Sequence, residues 1–395
     1  MNITFLIGNG FDIGIGLKTR YEDFYQKYCC ITEDDNNNIR AFKEMLQKRN
    51  YDDNSKIIDW ADFETAFGQH SADFSIDEKE MYIERFEDFI SKFNSYLEEE
   101  EAAADYSNET LISETMKNGV TKYFHIREGD KAEIQKIYNS ITGMRIYNFI
   151  SFNYTRTIDN CVEMLSKMLE SDKNRTVGKV AHIHGYIDPN MIMGVNDSTQ
   201  ITNPNFATDD DIVREIVKPQ QNVDLRTMYE DDVISLINSS DIICIYGMSI
   251  GATDKKWWNI ISKWLSGDVL RRLVILKYDK KYDPRFPFSQ RKITDKVVNT
   301  FLSYSELSED QKTEISNRIY VGGNHNVFSM GLRKKEMSNP KKEVTISTPM
   351  TFEEATRVQR SVEEVMARED KMINAIKEAD ELTKKMVGVK LDLLR

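Results

Sequence analysis

MNITFLIGNGFDIGIGL, residues 1–17, is the stretch that decides the fold. Residues 3–7 are apolar or β-branched, which is typical of a buried strand, and the glycines that follow predict a loop leading into a helix. These glycines are Gly8, Gly10, Gly14 and Gly16. Such a loop lets backbone N–H groups approach a phosphate, and the dipole of the helix favours the anion. The pattern therefore predicts a nucleotide-binding crevice at the end of this strand, with a tight turn that binds no ligand as the alternative.

The loop differs from the fingerprint of an ordinary dehydrogenase. In that fingerprint an acidic residue about 20 positions after the loop binds the ribose. Asp12 comes too early for that role, so we expect a different kind of nucleotide site.

The composition is that of a chain that can bury a large core. Of its 395 residues, 40% are hydrophobic and 10% aromatic, yet no run approaches the ~18 apolar residues of a membrane span. The first residues lack the basic segment of a secretory signal, so we expect a soluble, cytoplasmic protein with no membrane partner. The net charge of −12 disfavours nucleic acid as a partner, because neutralising phosphates needs a basic surface.

The cysteines form no C-x-x-C pair. They are Cys29, Cys30, Cys161 and Cys244. We therefore predict reduced thiols, with neither a disulfide framework nor a Cys₄ zinc site, and no bound metal.

Strand and helix patterns alternate along the chain. Strands are predicted at residues 145–152, 179–184, 191–195, 241–246, 271–278 and 318–321. Helical segments separate several of them, which predicts an α/β fold with a Rossmann-like, mostly parallel sheet. The carboxyl ends of such strands lie on one edge of the sheet, where ligands bind.

Two helical regions accompany this core. From about residue 39 to 140 the apolar residues recur at helical spacing, which predicts a helical insertion. Within it, Trp60-Ala61-Asp62-Phe63-Glu64 places two acids beside aromatic rings, a pattern that suits a cleft lining, although packing anchors are favoured for Trp60 and Phe63. The predicted organisation is a core at 1–333 containing this insertion and a helical tail at 334–395, whose apolar seam predicts a homo-oligomer or a docking element.

Two polar residues follow predicted strands and carry the chemistry. Asn153 ends the strand at 145–152, where an amide can bind a sugar hydroxyl or position a water molecule. His184 ends the next strand, in His182-Ile183-His184-Gly185, where a histidine can act as a base near neutral pH. Both histidines would share one face of the strand, which also suits a metal, but no third histidine or cysteine ligand lies nearby in sequence.

Four motifs occur together in a specific order. They are FLIGNGFDIGIGLKTRYEDF after Thr4, SFNYTRT at 151–157, HIHG at 182–185 and IYGMSIGATDKKWW at 245–258. In combination they resemble the AbiH family of bacterial abortive-infection, anti-phage proteins and, more distantly, sirtuin-like NAD-binding domains.

The resemblance implies a sirtuin-like core and assigns roles by motif. Phosphate binding falls to Gly8 and Gly10, contact with the nicotinamide ribose to Asn153, and catalysis to His184. Further cofactor-binding positions are Asn9, Asp12, Gly247, Ser249 and Asp254. Gly247-Met248-Ser249-Ile250-Gly251 would then be a second phosphate or ribose loop, and Asp254 would close over the ligand.

The implied activity is hydrolysis of the nicotinamide–ribose bond of NAD, which depletes NAD on infection. NAD would be a substrate, with no prosthetic group, and a phage-derived trigger would be a partner. The four-cysteine zinc module of sirtuin deacylases has no counterpart in this chain, so protein deacylation is not expected.

Two other function classes fit part of the pattern. Gly247-Met248-Ser249-Ile250-Gly251 matches the G-x-S-x-G nucleophile elbow of serine hydrolases, with His325 as base and Asp279 or Asp295 as the acid. That interpretation leaves the glycine loop at the N-terminus without a purpose. The third class is a nucleotide-binding sensor without turnover, which signals through the helical regions.

Overall fold

The computed structural model describes residues 1–49, 62–122, 126–187, 190–225, 229–278, 285–323 and 327–334. The described residues belong to one compact unit, Met1–Lys334. The predicted helical tail, and the homo-oligomer predicted from its seam, lie beyond these residues.

The sheet consists of parallel strands and confirms the predicted α/β, Rossmann-like fold. Its strands in chain order are β1 (Asn2–Ile7), β2 (Arg145–Ser151), β3 (Arg175–His182), β4 (Ile242–Tyr246), β5 (Arg272–Lys277) and β6 (Ile319–Gly323). The order across the sheet is β3-β2-β1-β4-β5-β6, and each neighbouring pair is parallel. Strands β2 and β3 extend the sheet on one side of β1, and strands β4 to β6 extend it on the other side. The strand order therefore reverses between β1 and β4, and doubly wound folds place their ligand crevice at such a switch point.

Helices surround the sheet on both faces. Those in the first part of the chain are α1 (Gly10–Gly14), α2 (Tyr21–Tyr28), α3 (Asn37–Arg49), α4 (Phe63–His70), α5 (Lys79–Ala102), α6 (Glu109–Thr121) and α7 (Glu128–Ser140). Those after β2 are α8 (Thr157–Leu169), α9 (Asp210–Ile216), α10 (Lys218–Asp224), α11 (Tyr229–Asn238), α12 (Lys255–Ser266), α13 (Pro287–Ser303) and α14 (Glu309–Ser316). No helix among the described residues is long and apolar enough to cross a membrane.

Three apolar cores hold the unit together. One face of the sheet packs on α6, α7 and α8 through residues such as Phe5, Met116 and Leu165. The opposite face packs on α11 to α14 around Trp258 and Phe301. The third core is rich in aromatic rings and joins α2–α5 to residues 190–217. We call this third assembly, residues 21–49 and 62–102 with 190–218, the cap.

The helical region between β1 and β2 thus divides between two cores. Its first helices, α3 to α5, belong to the cap, where the Phe63 and Phe89 rings stack with centroids 3.4 Å apart. Its last helices, α6 and α7, cover the sheet. Phe63 is therefore a packing anchor, while Trp60 lies outside the described part of the chain.

Strand β3 spans Arg175–His182 rather than the predicted 179–184, so His184 lies two residues beyond its end, and the strand contains a bulge. Tyr147 pairs with Val177 and Phe149 pairs with Val180, so β3 has one extra residue at this point. The Asn148 side chain fills the gap by accepting a hydrogen bond from the Lys179 N–H, 3.0 Å away. The extra residue puts Val177 and Val180 on the same core although they lie three positions apart.

The strand predicted at 191–195 is wrong. Met193 and Val195 are buried in the cap rather than in the sheet. Val195 forms a single isolated bridge with Val217. An apolar run of this length fits a buried loop as well as a strand, and here the run is a loop buried in the cap.

The ends of β1 and β4 are joined by direct backbone contact. The Gly8 N–H donates to Tyr246 O at 3.0 Å and the Gly10 N–H donates to Gly247 O at 2.7 Å. A Cβ atom on Gly10 would lie 2.5 Å from Gly247 Cα, and Gly247 itself has a φ of +70°. Only glycines fit a contact this close.

We expect Gly10→Ala to lower the free energy of unfolding by about 1–3 kcal/mol, because the new methyl group must displace the Gly247 backbone. Urea denaturation measures the change. The matched control is Gly129→Ala on α7, where an added Cβ meets nothing within 4 Å. Equal stability of the two variants would contradict the close contact.

Candidate functional site

Two cavities open at the carboxyl edge of the sheet. The first, which we call the front cavity, has a volume of about 170 Å³. It is lined by Asn9, Asp12, Thr19, Tyr21, Glu64, Phe93, Leu97, Phe152, Asn153, Tyr154, Thr155, His184 and Asp254. It lies between the ends of β1, β2 and β3 and the cap, so sheet and cap both contribute to it.

The second cavity, which we call the glycine crevice, has a volume of about 780 Å³. It is lined by Asn9, Gly10, Ile13, Arg20, Tyr246, Gly247, Met248, Ser249, Leu276, Lys277 and Tyr278. It lies over the ends of β1, β4 and β5. Asn9 lines both cavities, which makes them neighbours at the switch point of the sheet.

Most of the residues predicted from sequence meet at these cavities. Asn9, Asp12, Asn153, His184 and Asp254 line the front cavity. Gly10, Gly247 and Ser249 line the glycine crevice with Asn9. Gly8 lines neither; an added Cβ there would meet Met248 and the Gly247 backbone. Its glycine serves the contact between loops, and the Gly8 and Gly10 N–H groups are already used within the protein.

Asn9 is held in a fixed orientation. Its side-chain amide donates to Thr19 O at 2.9 Å, and its carbonyl oxygen accepts a hydrogen bond from the Thr19 hydroxyl. Both ends of the amide are thus bound to one residue. Asn9 is a rigid part of the boundary between the two cavities.

Asn153 is fixed by contacts with β1 and β3. Its Nδ2 donates to Gly8 O at 3.2 Å, and its side chain also hydrogen-bonds Asp12. Its backbone carbonyl accepts from His182 Nδ1 at 3.0 Å. A buried amide held on three sides can position a sugar hydroxyl or a water molecule in the front cavity.

The two histidines at the end of β3 have different surroundings. His182 bridges from Asn153 O to Asp159 on α8, with Nε2 2.9 Å from Asp159 Oδ2. Both of its ring nitrogens therefore serve the fold. His184 instead lines the front cavity, and its Nε2 lies 3.9 Å from Asp254 Oδ1. A water molecule can bridge a gap of this length.

Burial lowers the pKa of His184 below its ordinary value, and the Lys218 cation lowers it further, while Asp254 opposes both. The imidazole is therefore neutral at pH 7 and can accept a proton. Phe152 and Tyr154 place their rings on either side of it, with centroids 5.9 and 6.1 Å from the imidazole.

Asp12 is a buried carboxylate on α1. It accepts hydrogen bonds from the Thr155 and Thr157 hydroxyls, with the Thr155 bond at 2.7 Å. Burial nonetheless raises the pKa of Asp12 to about 6, since these bonds and that of Asn153 offset only part of the desolvation. Asp12 thus ties the segment Asn153-Tyr154-Thr155-Arg156-Thr157 after β2 to the loop after β1.

Glu64 and Tyr21 of the cap also line the front cavity, and our sequence reasoning assigned neither to a site. Glu64 pairs with Lys218 at 2.7 Å, and both side chains are at least nine-tenths buried. The acids of Trp60-Ala61-Asp62-Phe63-Glu64 hinted at this position, but the pairing depends on Lys218, 154 residues away. Sequence patterns did not identify Arg20 and Lys277 for the same reason, because the glycine crevice that they line is formed by segments distant in sequence.

The described residues give little support to the serine hydrolase alternative. Ser249 is exposed, and a loop and a 3₁₀ turn at Ala252–Asp254 separate β4 from α12. No described histidine lines the glycine crevice beside it. Asp295 lies on α13, whereas His325 and Asp279 fall outside the described ranges. Among those ranges, no cluster of His, Cys, Asp and Glu could hold a metal ion.

Comparison with known families gives one finding. A family model described as bacteriophage abortive infection AbiH matches residues 4–275, which include β1 to β4 and both cavities almost entirely. A comparison with curated proteins found no match.

We expect His184 to titrate below the ordinary value of about 6.5 and Asp254→Asn to lower its pKa further, because the variant removes a nearby negative charge. NMR titration of ¹³C-labelled histidines measures both, with His184→Gln identifying the resonance. Asp77→Asn, an exposed substitution, is the matched control. A shift upward in Asp254→Asn would contradict the proximity of the two groups.

Asp12 should make stability depend on pH. Because its pKa is about 6 in the folded state against 3.8 ordinarily, the folded state binds more protons in this window, and the free energy of unfolding falls as pH rises from 4 to 6. Relative to Asp12→Asn, the wild type should lose about 2 kcal/mol across that window. Urea denaturation at several pH values measures the difference. The exposed control Asp34→Asn should track the wild type, and a pH-independent difference for Asp12→Asn would disprove the expectation.

Proposed function

The chain belongs to the AbiH family of bacteriophage abortive infection, and we propose that within this anti-phage role it hydrolyses the bond between nicotinamide and ribose in NAD. NAD is a substrate in this proposal rather than a resident cofactor. The products are nicotinamide and ADP-ribose.

The observation that carries the proposal is the separation of charge between the two adjoining cavities. The front cavity is lined by three carboxylates. Lys218 balances the charge of Glu64, whereas Asp12 and Asp254 form no ion pair with a lysine or arginine of the described residues. The glycine crevice is lined by Arg20 and Lys277, and neither forms an ion pair within the described part of the chain. NAD has a cationic pyridinium ring at one end and a pyrophosphate towards the other. A molecule that spans Asn9 would thus meet opposite charges at its two ends.

The front cavity also suits the chemistry of the glycosidic bond. When the bond from C1′ of the ribose to the pyridinium nitrogen breaks, the nitrogen keeps the electron pair and nicotinamide leaves as a neutral molecule. No strong general acid is needed. The ribose becomes cationic, and the carboxylates of the front cavity stabilise that charge.

Water then completes the reaction with the help of two residues. Neutral His184 takes a proton as the water oxygen bonds to C1′, and Asn153 orients a ribose hydroxyl or the water. Asp254, 3.9 Å from His184 Nε2, stabilises the imidazolium that forms. The net change is NAD and water to ADP-ribose, nicotinamide and a proton.

Two partners belong to this proposal. An enzyme that depletes NAD without restraint would harm its own cell, so we propose that a phage-derived trigger releases the activity. The apolar seam of the sequence after residue 334 favours a homo-oligomer as the form that responds to it.

We expect protein purified from phage-infected cells to convert NAD to nicotinamide and ADP-ribose, and chromatography of the products measures it. Asn153→Ala and His184→Ala should each lower turnover at least ~10²-fold, because a positioned base or polar group is lost. Asn203→Ala is the matched control, since Asn203 is a buried amide of the cap that bonds Phe74 O at 2.8 Å away from both cavities.

Ser249→Ala separates this proposal from a serine hydrolase. As a lining residue of the glycine crevice, Ser249 should affect the KM for NAD more than kcat. Labelling of wild-type protein by a serine-reactive phosphonate at Ser249, with no NAD cleavage in infected cells, would refute the NAD hydrolase.

A further inference from the structure

A third cavity lies behind His184. We call it the rear cavity; its volume is about 210 Å³, which is space for several water molecules. Its polar lining includes Asn196, Asn222, Glu230, Lys255 and Lys256. The rear cavity has no role in the reaction steps proposed above.

The front and rear cavities share one wall. His184 lines both of them. Beside it, Glu64 lines the front cavity and Lys218 lines the rear cavity, and their side chains meet at 2.7 Å. The His184 imidazole and the Glu64–Lys218 ion pair therefore form part of the wall between the two spaces.

The rear cavity has the character of a hydrated space. Lys255 pairs with Asp197 at 3.1 Å and Lys256 pairs with Glu230, so its charges are balanced at its rim. The amides of Asn196 and Asn222 are polar as well, and each donates a hydrogen bond within the protein, to Thr253 O and to Lys218 O respectively. Such a lining holds small hydroxyl compounds rather than a strongly charged ligand.

The proposed reaction needs a second approach to the ribose. A nucleophile that enters from the side of the leaving group meets the nicotinamide itself, which fills the space until it departs. We infer that the rear cavity is the nucleophile site, from which water, or a small alcohol, reaches C1′ past His184. This inference rests on the proposed NAD hydrolysis.

The bond from C1′ to the pyridinium nitrogen breaks and the nitrogen keeps its electron pair. An oxygen lone pair of water forms the new bond to C1′. The proton of that water passes to the His184 ring and then to water in the rear cavity, which restores the neutral base.

Asn222→Trp tests the inference by filling the rear cavity from α10. Two reactions of the full-length protein are measured side by side: hydrolysis of NAD, and exchange of labelled nicotinamide into NAD. Exchange needs only cleavage and recapture of the ribosyl cation in the front cavity. We expect hydrolysis to fall about tenfold or more while exchange is retained.

Val223→Trp is the matched control. It adds the same side chain at the next position of α10, where Val223 is 67% exposed, and both reactions should match the wild type. Asn222→Ala enlarges the rear cavity and should change the balance in the opposite direction. With methanol present, its ratio of methyl ADP-riboside to ADP-ribose should exceed that of the wild type.

The outcomes separate the two proposals. If wild-type protein neither hydrolyses nor exchanges NAD, the proposed function fails and the inference falls with it. If the wild type cleaves NAD but Asn222→Trp changes hydrolysis and exchange equally, or changes neither, the proposed function stands and the rear cavity is not the nucleophile site. A methanol ratio in Asn222→Ala equal to that of the wild type would also overturn the inference.

Discussion

The backbone contact between the loop after β1 and Gly247 after β4 is the constraint on which the rest of the site depends. Two short hydrogen bonds join the loops, and no Cβ fits between them. β1 and β4 are the two central strands of the six, so this contact lies at the point where the strand order reverses. The front cavity lies on one side of this contact and the glycine crevice on the other. The contact between Gly10 and Gly247 therefore separates the carboxylates of the front cavity from Arg20 and Lys277 of the glycine crevice.

Sequence patterns predict those strands and strand ends that depend only on residues close together in the chain. The buried strands of the sheet are apolar and are followed by glycine or polar residues, so all six strands could be located approximately, together with the polar residues Asn153 and His184 that follow two of them. Strand β3 was misjudged at its start because a bulge hides the alternation between Val177 and Val180. Residues 191–195 have the same composition as a strand but are buried in the cap, which no local pattern distinguishes.

Contacts between distant segments explain why part of the site could not be predicted. Glu64 faces His184 only because the cap folds over the strand ends, and its charge is balanced by a lysine from the other half of the cap. The same distance hides the environment of Asp12, whose carboxylate depends on two threonines after β2. The glycines after β1 were hard to interpret for another reason. A glycine pattern that suits phosphate binding also suits two loops that pack against each other.

The bulge in β3 has a consequence for how the family can vary in length. Pairing from Phe149↔Val180 to Ser151↔His182 is set downstream of the extra residue, so His182 keeps its partners on β2 whatever precedes Gly178. An insertion or deletion between α8 and the start of β3 would alter only the upstream pairs, at the edge of the sheet. That connection can therefore change in length without disturbing the pairing of His182, whereas a one-residue insertion or deletion between Val180 and His182 would turn His182 to the opposite face of the sheet.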